Sequence, residues 1–395
     1  MSRRIGRWIA VLLASAVALM APVPVLTPAA EAADTTNPVI PASYLNQTIR
    51  WTACAGDLAS RCANVSVPLD WKSPTKGNIS LAIAYLKASG AGRGLLTTNP
   101  GGPGAAGRTF TEALSWSKTK LQQYDLLGFD PRGYGASTNV KCLTTTAKYN
   151  RLPKVADRRS RTKATHAVEV AEAKLFAEAC SSDPRARYIN TQQTVWDLDF
   201  LRQLLAKNQA RSYPVLNYIG YSYGTWLGAW YADSYPKNVG RFILDSNMQW
   251  TSSMYTNQAL DSVSFQRRRD KMLFPYLARH NADFGLGKSA KSVKKKYEST
   301  RKKLAKQAKK AVKKGRTPSF GPEDLDYTVA QYIYTDAGFD FAGAIVDAAG
   351  DVVRKPSSTK YRKTLAKRVK PVMTKAPFSV QRSAKSVSGS AMKDI

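Results

Sequence analysis

Apolar positions follow two different patterns, one before and one after about residue 250. In the earlier part, short runs of β-branched and aromatic residues alternate with longer amphipathic stretches, which is typical of a mostly parallel sheet covered by helices. The strands at the start are expected to be antiparallel exceptions. The pattern predicts six strands, at residues 65–68, 79–86, 93–98, 124–129, 216–219 and 241–244.

After residue 250 the pattern becomes helical and rich in lysine, and no run before residue 353 predicts a strand. We therefore predict an α/β core over residues 33–250, followed by a helical cap over residues 251–353. Residues 354–395 are rich in Lys and Ser and only weakly patterned, so no element is predicted in that segment.

The first 32 residues have the composition of an export signal. Arg3, Arg4 and Arg7 precede an apolar run over residues 8–20, and Ala30-Glu31-Ala32 offers small residues at a cleavage point. The run is too short for a membrane-spanning helix, and no later segment approaches that length. We expect cleavage after residue 32 and a secreted protein, with attachment to the cell surface as a further possibility.

Four cysteines in an exported chain predict two disulfides, for which three pairings exist. We favour Cys54–Cys62 and Cys142–Cys180, because each pair flanks one local loop. The spacing of the first pair is wrong for zinc, and the chain has only two histidines, so no metal site is predicted.

Positive charge is abundant and unevenly spread, with 60 Lys+Arg against 28 Asp+Glu and a formal net charge of +32. Residues 288–316 contain many of the basic residues and one acid, Glu298. A narrow apolar stripe recurs there at helical spacing, formed by Val293, Tyr297, Leu304 and Ala308. We expect a solvated cap helix; the alternative is attachment to anionic wall polymers or a membrane surface. No nucleic-acid partner is expected, because no recognition fold is visible.

The sequence Gly220-Tyr221-Ser222-Tyr223-Gly224 joins a predicted strand, residues 216–219, to a predicted helix, residues 225–235. In this context a sharp turn holds the serine hydroxyl above the end of a sheet, where a histidine can deprotonate it for attack on a carbonyl. Ser222 is therefore the candidate nucleophile. The alternative is a Gly/Ser turn without chemistry.

A second turn, Asn99-Pro100-Gly101-Gly102-Pro103-Gly104, follows the strand predicted at residues 93–98. Glycines let backbone N–H groups approach a ligand closely. The N–H groups of Gly102 and Tyr223 are the candidate oxyanion donors, with the inward glycine fixed only to within one position. The alternative is an ordinary Pro/Gly turn.

Four segments together resemble the α/β-hydrolase serine exopeptidases that include prolyl iminopeptidases and secreted tripeptidyl aminopeptidases. They are the loop at residues 99–104, the turn F-D-P-R-G-Y-G-A-S at 129–137, D-L-D-F-L-R at 197–202 and G-Y-S-Y-G-T-W-L-G at 220–228. Their order and spacing also match, over about residues 51–247. The resemblance implies an α/β-hydrolase fold and removal of single residues or short peptides from peptide N-termini through an acyl-enzyme, without a cofactor. Within the turn, Asp130 and Arg132 are expected to tie the loop together.

The expected acid and base are not evident in this chain. The fold places them after the nucleophile, in the order Ser, Asp or Glu, His, but only His166 and His280 exist. One hypothesis is a truncated hydrolase that lacks the last strands of its sheet, and another is a shortened triad of Ser222, Asp245 and His280. The third is a non-catalytic basic binding protein on a hydrolase scaffold. Esterase activity on small acyl esters is the alternative reaction.

Overall fold

The computed structural model describes residues 36–56, 58–140, 148, 151–316 and 320–354. The predicted export signal, residues 1–32, lies outside the described residues, as do residues 355–395. All elements given below belong to the unit that begins at Pro38. No helix in these ranges is both long and apolar enough to cross a membrane.

A seven-stranded sheet forms the first half of the protein, in the order β1-β2-β3-β5-β4-β6-β7. The first three strands and β5 pair antiparallel, whereas β4 lies parallel between β5 and β6, and β7 is parallel to β6. The strands are β1 (Thr52–Ala53), β2 (Arg61–Pro68), β3 (Asn78–Leu86), β4 (Leu95–Asn99), β5 (Asp125–Phe129), β6 (Leu216–Tyr221) and β7 (Val239–Asp245). All six predicted strands are present; the two-residue β1 was not predicted.

Helices cover the sheet and make up the region after it. They are α1 (Ala42–Leu45), α2 (Phe110–Ser117), α3 (Lys163–Ser181), α4 (Thr191–Asn208), α5 (Tyr223–Ser234), α6 (Met254–Arg268), α7 (Phe274–Arg279), α8 (Asn281–Phe284), α9 (Ala290–Lys313), α10 (Pro322–Tyr332) and α11 (Phe339–Arg354). A short π-helix, Arg269–Leu273, connects α6 to α7. The helical pattern predicted after residue 250 is thus present among the described residues, while the domain boundaries stay predictions.

The central strands are buried on both faces. Leu95 and Leu127 belong to the large core beneath α4 and α5, whereas the neighbouring Leu96 and Leu126 pack towards α2. Successive side chains of a strand point to opposite faces, so two helical layers are needed to bury such continuously apolar strands. This arrangement fixes the strand ends on which the candidate site is built.

At one side of the sheet, β7 pairs only with β6 among the described residues. Its side chains are much less covered than those of β6, and Ile243 is 57% exposed. A strand with a single neighbour and little helical cover leaves apolar side chains and one row of backbone groups open to solvent.

A second core joins the helices after the sheet, and it buries the stripe predicted on the cationic helix. Leu277 of α7, Val329 of α10 and Ile345 of α11 pack there with the apolar side chains of α9. The predicted stripe residues are each 2% exposed or less: Val293, Tyr297, Leu304 and Ala308. The apolar face of α9 is thus occupied within the protein, and its lysines face outwards.

The disulfide Cys54–Cys62 is formed, with 5.0 Å between the Cα atoms, and it confirms the first predicted pair. It joins the loop after β1 to β2. Cys180, at the end of α3, is also disulfide-bonded, and its predicted partner Cys142 lies outside the described residues.

Candidate active site

Ser222 lies in the sharp turn between β6 and α5. Its backbone has φ 53° and ψ −119°, a conformation that non-glycine residues rarely adopt and that clusters at functional sites. The Ser222 N–H donates to the Asp245 carbonyl oxygen at 3.1 Å. Its own carbonyl oxygen accepts from the N–H and the Oγ1 hydroxyl of Thr225, at 2.8 and 2.7 Å. The surrounding backbone therefore holds a strained turn that leaves the Ser222 side chain exposed.

The turn requires a glycine at position 224, two residues after Ser222. A Cβ atom at this position would lie 2.6 Å from the carbonyl oxygen of Asn99, closer than real Cβ contacts allow. The Gly224 carbonyl oxygen also accepts from the Tyr218 hydroxyl at 2.8 Å. The start of α5 can therefore pack against the end of β4 only because this residue has no side chain.

The glycine loop packs directly against this turn. It follows β4, whose Asn99 pairs with Gly220 at the end of β6. A Cβ atom on Gly101 would lie 2.5 Å from the Tyr221 carbonyl oxygen and 3.0 Å from Ser222 Cβ. The two segments that were singled out in the sequence are thus in contact.

Of the two neighbouring glycines in the loop, Gly102 is the better candidate for an oxyanion donor, because its N–H is free of an intramolecular bond among the described residues. The Gly101 N–H donates to Asn99 Oδ1 at 2.8 Å, so it is already occupied. For the N–H groups of Gly102 and Tyr223 we find no acceptor among the described residues. Tyr223 is the first residue of α5, and N–H groups in the first turn have no partner within the helix. These two N–H groups can donate hydrogen bonds to an anion, and their role as oxyanion donors stays a prediction.

Asp130 and Arg132 have the structural role expected of them. The Arg132 side chain is fully buried, and its Nε and Nη2 donate to the two carboxylate oxygens of Asp197 at 2.7 and 2.6 Å. Asp130 accepts from the N–H groups of Arg108 and Ala136, both at 2.8 Å. These bonds anchor the turn after β5 to α4 and to the segment that enters α2.

Of the two residues considered as partners of Ser222 in a shortened triad, Asp245 lies beside Ser222. His280 makes no hydrogen bond to Ser222. Asp245 ends β7 opposite Tyr221, is exposed, and accepts at Oδ1 from the Ser246 hydroxyl at 3.2 Å. Burial, and to a lesser degree the charge of Asp245, raise the pKa of Tyr221. Burial and the nearby carboxylate therefore both favour the protonated form of the Tyr221 phenol.

Neither histidine hydrogen-bonds Ser222 or Asp245. His280 lies between α7 and α8, where Nδ1 is 2.9 Å from the Tyr276 carbonyl oxygen and the ring stacks on the Tyr276 ring at 4.0 Å. His166 is an exposed residue of α3. Among the described residues, the exposed Ser222 thus lies near two N–H groups that have no acceptor, and no histidine is bonded to it.

Two polar residues at the site were not identified from the sequence. Asn99 holds the glycine loop through its side-chain bond to Gly101, and Thr191 shares a hydrogen bond with the Tyr223 hydroxyl at 2.9 Å. An Asn two residues before a glycine is a signal for a turn stabilised by the side chain. No comparable local signal marks Thr191, because it comes from a distant helix.

Comparison with known proteins supports the same architecture. The profile of a family described as alpha/beta hydrolase fold matches residues 98–341, which is more than half of the chain. The chain is 32% identical over 237 residues to a tripeptidyl aminopeptidase of Streptomyces coelicolor, covering 56% of this chain and 41% of that protein. It is 31% identical over 216 residues to the serine protease Hip1 of Mycobacterium tuberculosis, covering 51% and 40%.

A shorter match concerns a protein named carboxylesterase B, also from Mycobacterium tuberculosis. It is 36% identical over 110 residues, covering 25% of this chain and 21% of that protein. The matched regions thus span less than half the length of each of these relatives.

Proposed function

Because this chain belongs to the α/β-hydrolase fold family, we propose that it is a serine hydrolase with Ser222 as its nucleophile. The observation that carries the proposal is the backbone of Ser222, held at φ 53° with its side chain exposed. Strain of this kind persists only where the surroundings impose it, and it presents a nucleophile at the carboxyl ends of the strands. The contact with the glycine loop supports the same role.

We propose a peptide as the substrate, cleaved near its N-terminus. This part of the proposal is supported by relatives named tripeptidyl aminopeptidase and serine protease, together with the resemblance of four segments of the sequence to serine exopeptidases. Ser222 Oγ would attack the peptide carbonyl, the amine product would leave, and water would hydrolyse the acyl-enzyme. The export-signal pattern and the Cys54–Cys62 disulfide support a location outside the cell.

The N–H groups of Gly102 and Tyr223 would stabilise the oxyanion that forms during this attack. Removal of one such donor typically lowers kcat by roughly 10²–10³-fold. Without a base bonded to the serine, the oxyanion donors and substrate binding leave an acceleration on the order of 10³–10⁴ over water. The described residues therefore support acylation that is slower than in an enzyme with a complete triad.

An esterase acting on small acyl esters is the second candidate. The exposed side chain of Ser222 favours it, because a small ester can reach the hydroxyl without a shaped peptide-binding cleft. A more reactive leaving group also demands less of a general base. The nucleophile and the oxyanion donors serve both reactions equally.

We expect a fluorophosphonate probe to label the whole chain at Ser222. Labelling should disappear in Ser222→Ala and persist in Ser89→Ala, which removes another exposed hydroxyl in the same half of the protein. The measurement is intact mass followed by peptide mapping. An unlabelled wild-type protein, or equal labelling of both variants, would contradict the proposal.

The same probe distinguishes the shortened triad from the other hypotheses. Because the His280 ring hydrogen-bonds only to the Tyr276 carbonyl oxygen among the described residues, we expect His280→Ala to label at the rate of the unaltered chain. Loss of labelling in this variant, with unchanged thermal unfolding, would instead establish His280 as the base.

A further inference from the structure

A long groove lies between α9 and the segment formed by residues 153–157 and the first half of α3. Its volume is about 990 Å³, near the upper end of the range for small-molecule sites. The walls are mainly small apolar side chains, and they include Val155, Ala164, Val168, Ala171, Ala305 and Val312. The groove shares no residue with the candidate active site.

The three hydroxyl groups in the walls are already bonded to one another. The Thr165 hydroxyl lies 2.9 Å from that of Ser160 and 3.0 Å from that of Thr162. An extended peptide in this groove would bury N–H and C=O groups that need partners, at a substantial free-energy cost. An apolar chain without such groups fits these walls better.

The rim of the groove is cationic. Lys302, Lys306 and Lys309 of α9 stand at spacings of four and three residues on one helix face, and Lys154 lies across from them. All four are exposed, and none has an acidic partner among the residues that the structure describes. The rim therefore offers several uncompensated positive charges to an anion.

Asp157, the carboxylate in the groove wall, does not neutralise these lysines. It accepts from Arg301 at 2.7 and 3.1 Å. Burial opposes ionisation of Asp157, but the bonds from Arg301 outweigh it and hold the pKa of the carboxyl below its usual value. The charge of Asp157 is thus engaged with Arg301 at neutral pH.

Ion pairs also hold the two walls in place. Arg301 bonds Asp326 of α10 at 2.6 Å as well as Asp157, and the Tyr297 hydroxyl bonds the same Asp326 at 2.6 Å. Arg158 bonds Glu172 of α3 through two hydrogen bonds, at 2.7 and 2.6 Å. The groove is therefore formed before any ligand binds, which lowers the entropic cost of binding.

We propose that this groove binds a free long-chain carboxylate, with the apolar chain along the alanine and valine walls and the carboxylate among Lys302, Lys306 and Lys309. A free carboxylate is favoured over a membrane surface because the site is concave. The apolar face of α9 is also buried in the second core, so the helix has no apolar side to insert into a bilayer.

The test is calorimetric titration of the whole chain with tetradecanoate, dodecanoate and decanoate, each below its micelle concentration. We expect one site per chain, with affinity rising roughly fourfold per methylene while the chain remains inside the groove. Tetradecanol, which has the same chain without the charge, should bind at least tenfold more weakly than tetradecanoate. Equal affinity for the acid and the alcohol, or no dependence on chain length, would overturn the proposal.

Matched variants of α9 separate the groove from general attraction to a basic helix. The triple change Lys302→Gln, Lys306→Gln, Lys309→Gln should weaken tetradecanoate binding at least tenfold. The control triple Lys295→Gln, Lys303→Gln, Lys310→Gln removes the same charge outside the groove and should change affinity less than twofold. Equal weakening by both triples would overturn the proposal.

A change in the wall and a vesicle assay complete the test. Ala167→Trp should block binding, and thermal unfolding together with fluorophosphonate labelling of Ser222 will show whether this variant is folded. Ala305→Leu provides a milder obstruction if it is not. Retention on phosphatidylglycerol vesicles that depends on the three groove lysines, without binding of free tetradecanoate, would assign the surface to membranes and overturn the proposal.

Discussion

Replacement of Asp197 by alanine is expected to lower the free energy of unfolding by about 3–5 kcal/mol. The loss is expected because the side chain of Arg132 is completely buried, and its guanidinium donates hydrogen bonds to both carboxylate oxygens of Asp197. Without them the guanidinium keeps only backbone partners, the nearest being the Leu69 carbonyl oxygen at 2.8 Å. The Trp71 indole N–H, which donates to Asp197 Oδ1 at 2.8 Å, loses its acceptor as well.

Urea unfolding followed by circular dichroism measures this loss. Asp233→Ala is the matched control, because Asp233 is an exposed residue of α5 and should change stability by no more than about 0.5 kcal/mol. The double variant Arg132→Met, Asp197→Leu removes the charges together and should be more stable than Asp197→Ala. A loss below about 1 kcal/mol in Asp197→Ala would show that Arg132 reaches water or another acceptor.

Gly224→Ala is expected to reduce the rate of Ser222 labelling by about 10²-fold. The added methyl group would meet the Asn99 carbonyl oxygen at 2.6 Å, so α5 and the glycine loop must separate. A displacement on the order of 1 Å between a nucleophile and its oxyanion donors has an effect of this size. The same variant should also be less stable, because the packing of α5 on β4 is disturbed.

Gly350→Ala is a control that is expected to raise the stability of the protein, whereas Gly224→Ala lowers it. Gly350 lies within α11, and a Cβ atom there meets no other atom within 4 Å. Alanine in a helix is about 0.5–1 kcal/mol more favourable than glycine, so this variant should be more stable and label at an unchanged rate. Unaltered labelling of Gly224→Ala would contradict the proposed dependence of Ser222 reactivity on the packing of its turn against the glycine loop.

Local features of the chain were predictable from the sequence. The strands were found because β-branched and aromatic runs buried on both faces differ clearly from amphipathic helices. β2 begins at Arg61 and not at the predicted residue 65, since Arg61-Cys62-Ala63-Asn64 has little strand preference and is held by pairing with β3. The turn at Ser222 was predictable because its strand, glycines and helix are contiguous.

Long-range relations were not predictable in the same way. The sequence does not reveal that β5 lies between β3 and β4, because strand order depends on crossovers and not on composition. It also does not show that residues 153–171 face α9, a contact held by Arg301 and Asp157, which are 144 residues apart. The spacing of the lysines along α9 does not indicate a facing wall; only the tertiary structure places residues 153–171 opposite Lys302, Lys306 and Lys309.

The open side of β7 has a consequence for how the protein behaves at high concentration. The backbone groups on that side have no strand partner in the part of the chain that the structure describes, and together with the exposed Ile243 they can pair with the same edge of a second molecule. The net charge of +32 opposes this encounter through long-range repulsion, which salt screens. Ionic strength should therefore govern colloidal stability: dilute low-salt solutions keep the molecules separate, and concentrated saline solutions favour self-association.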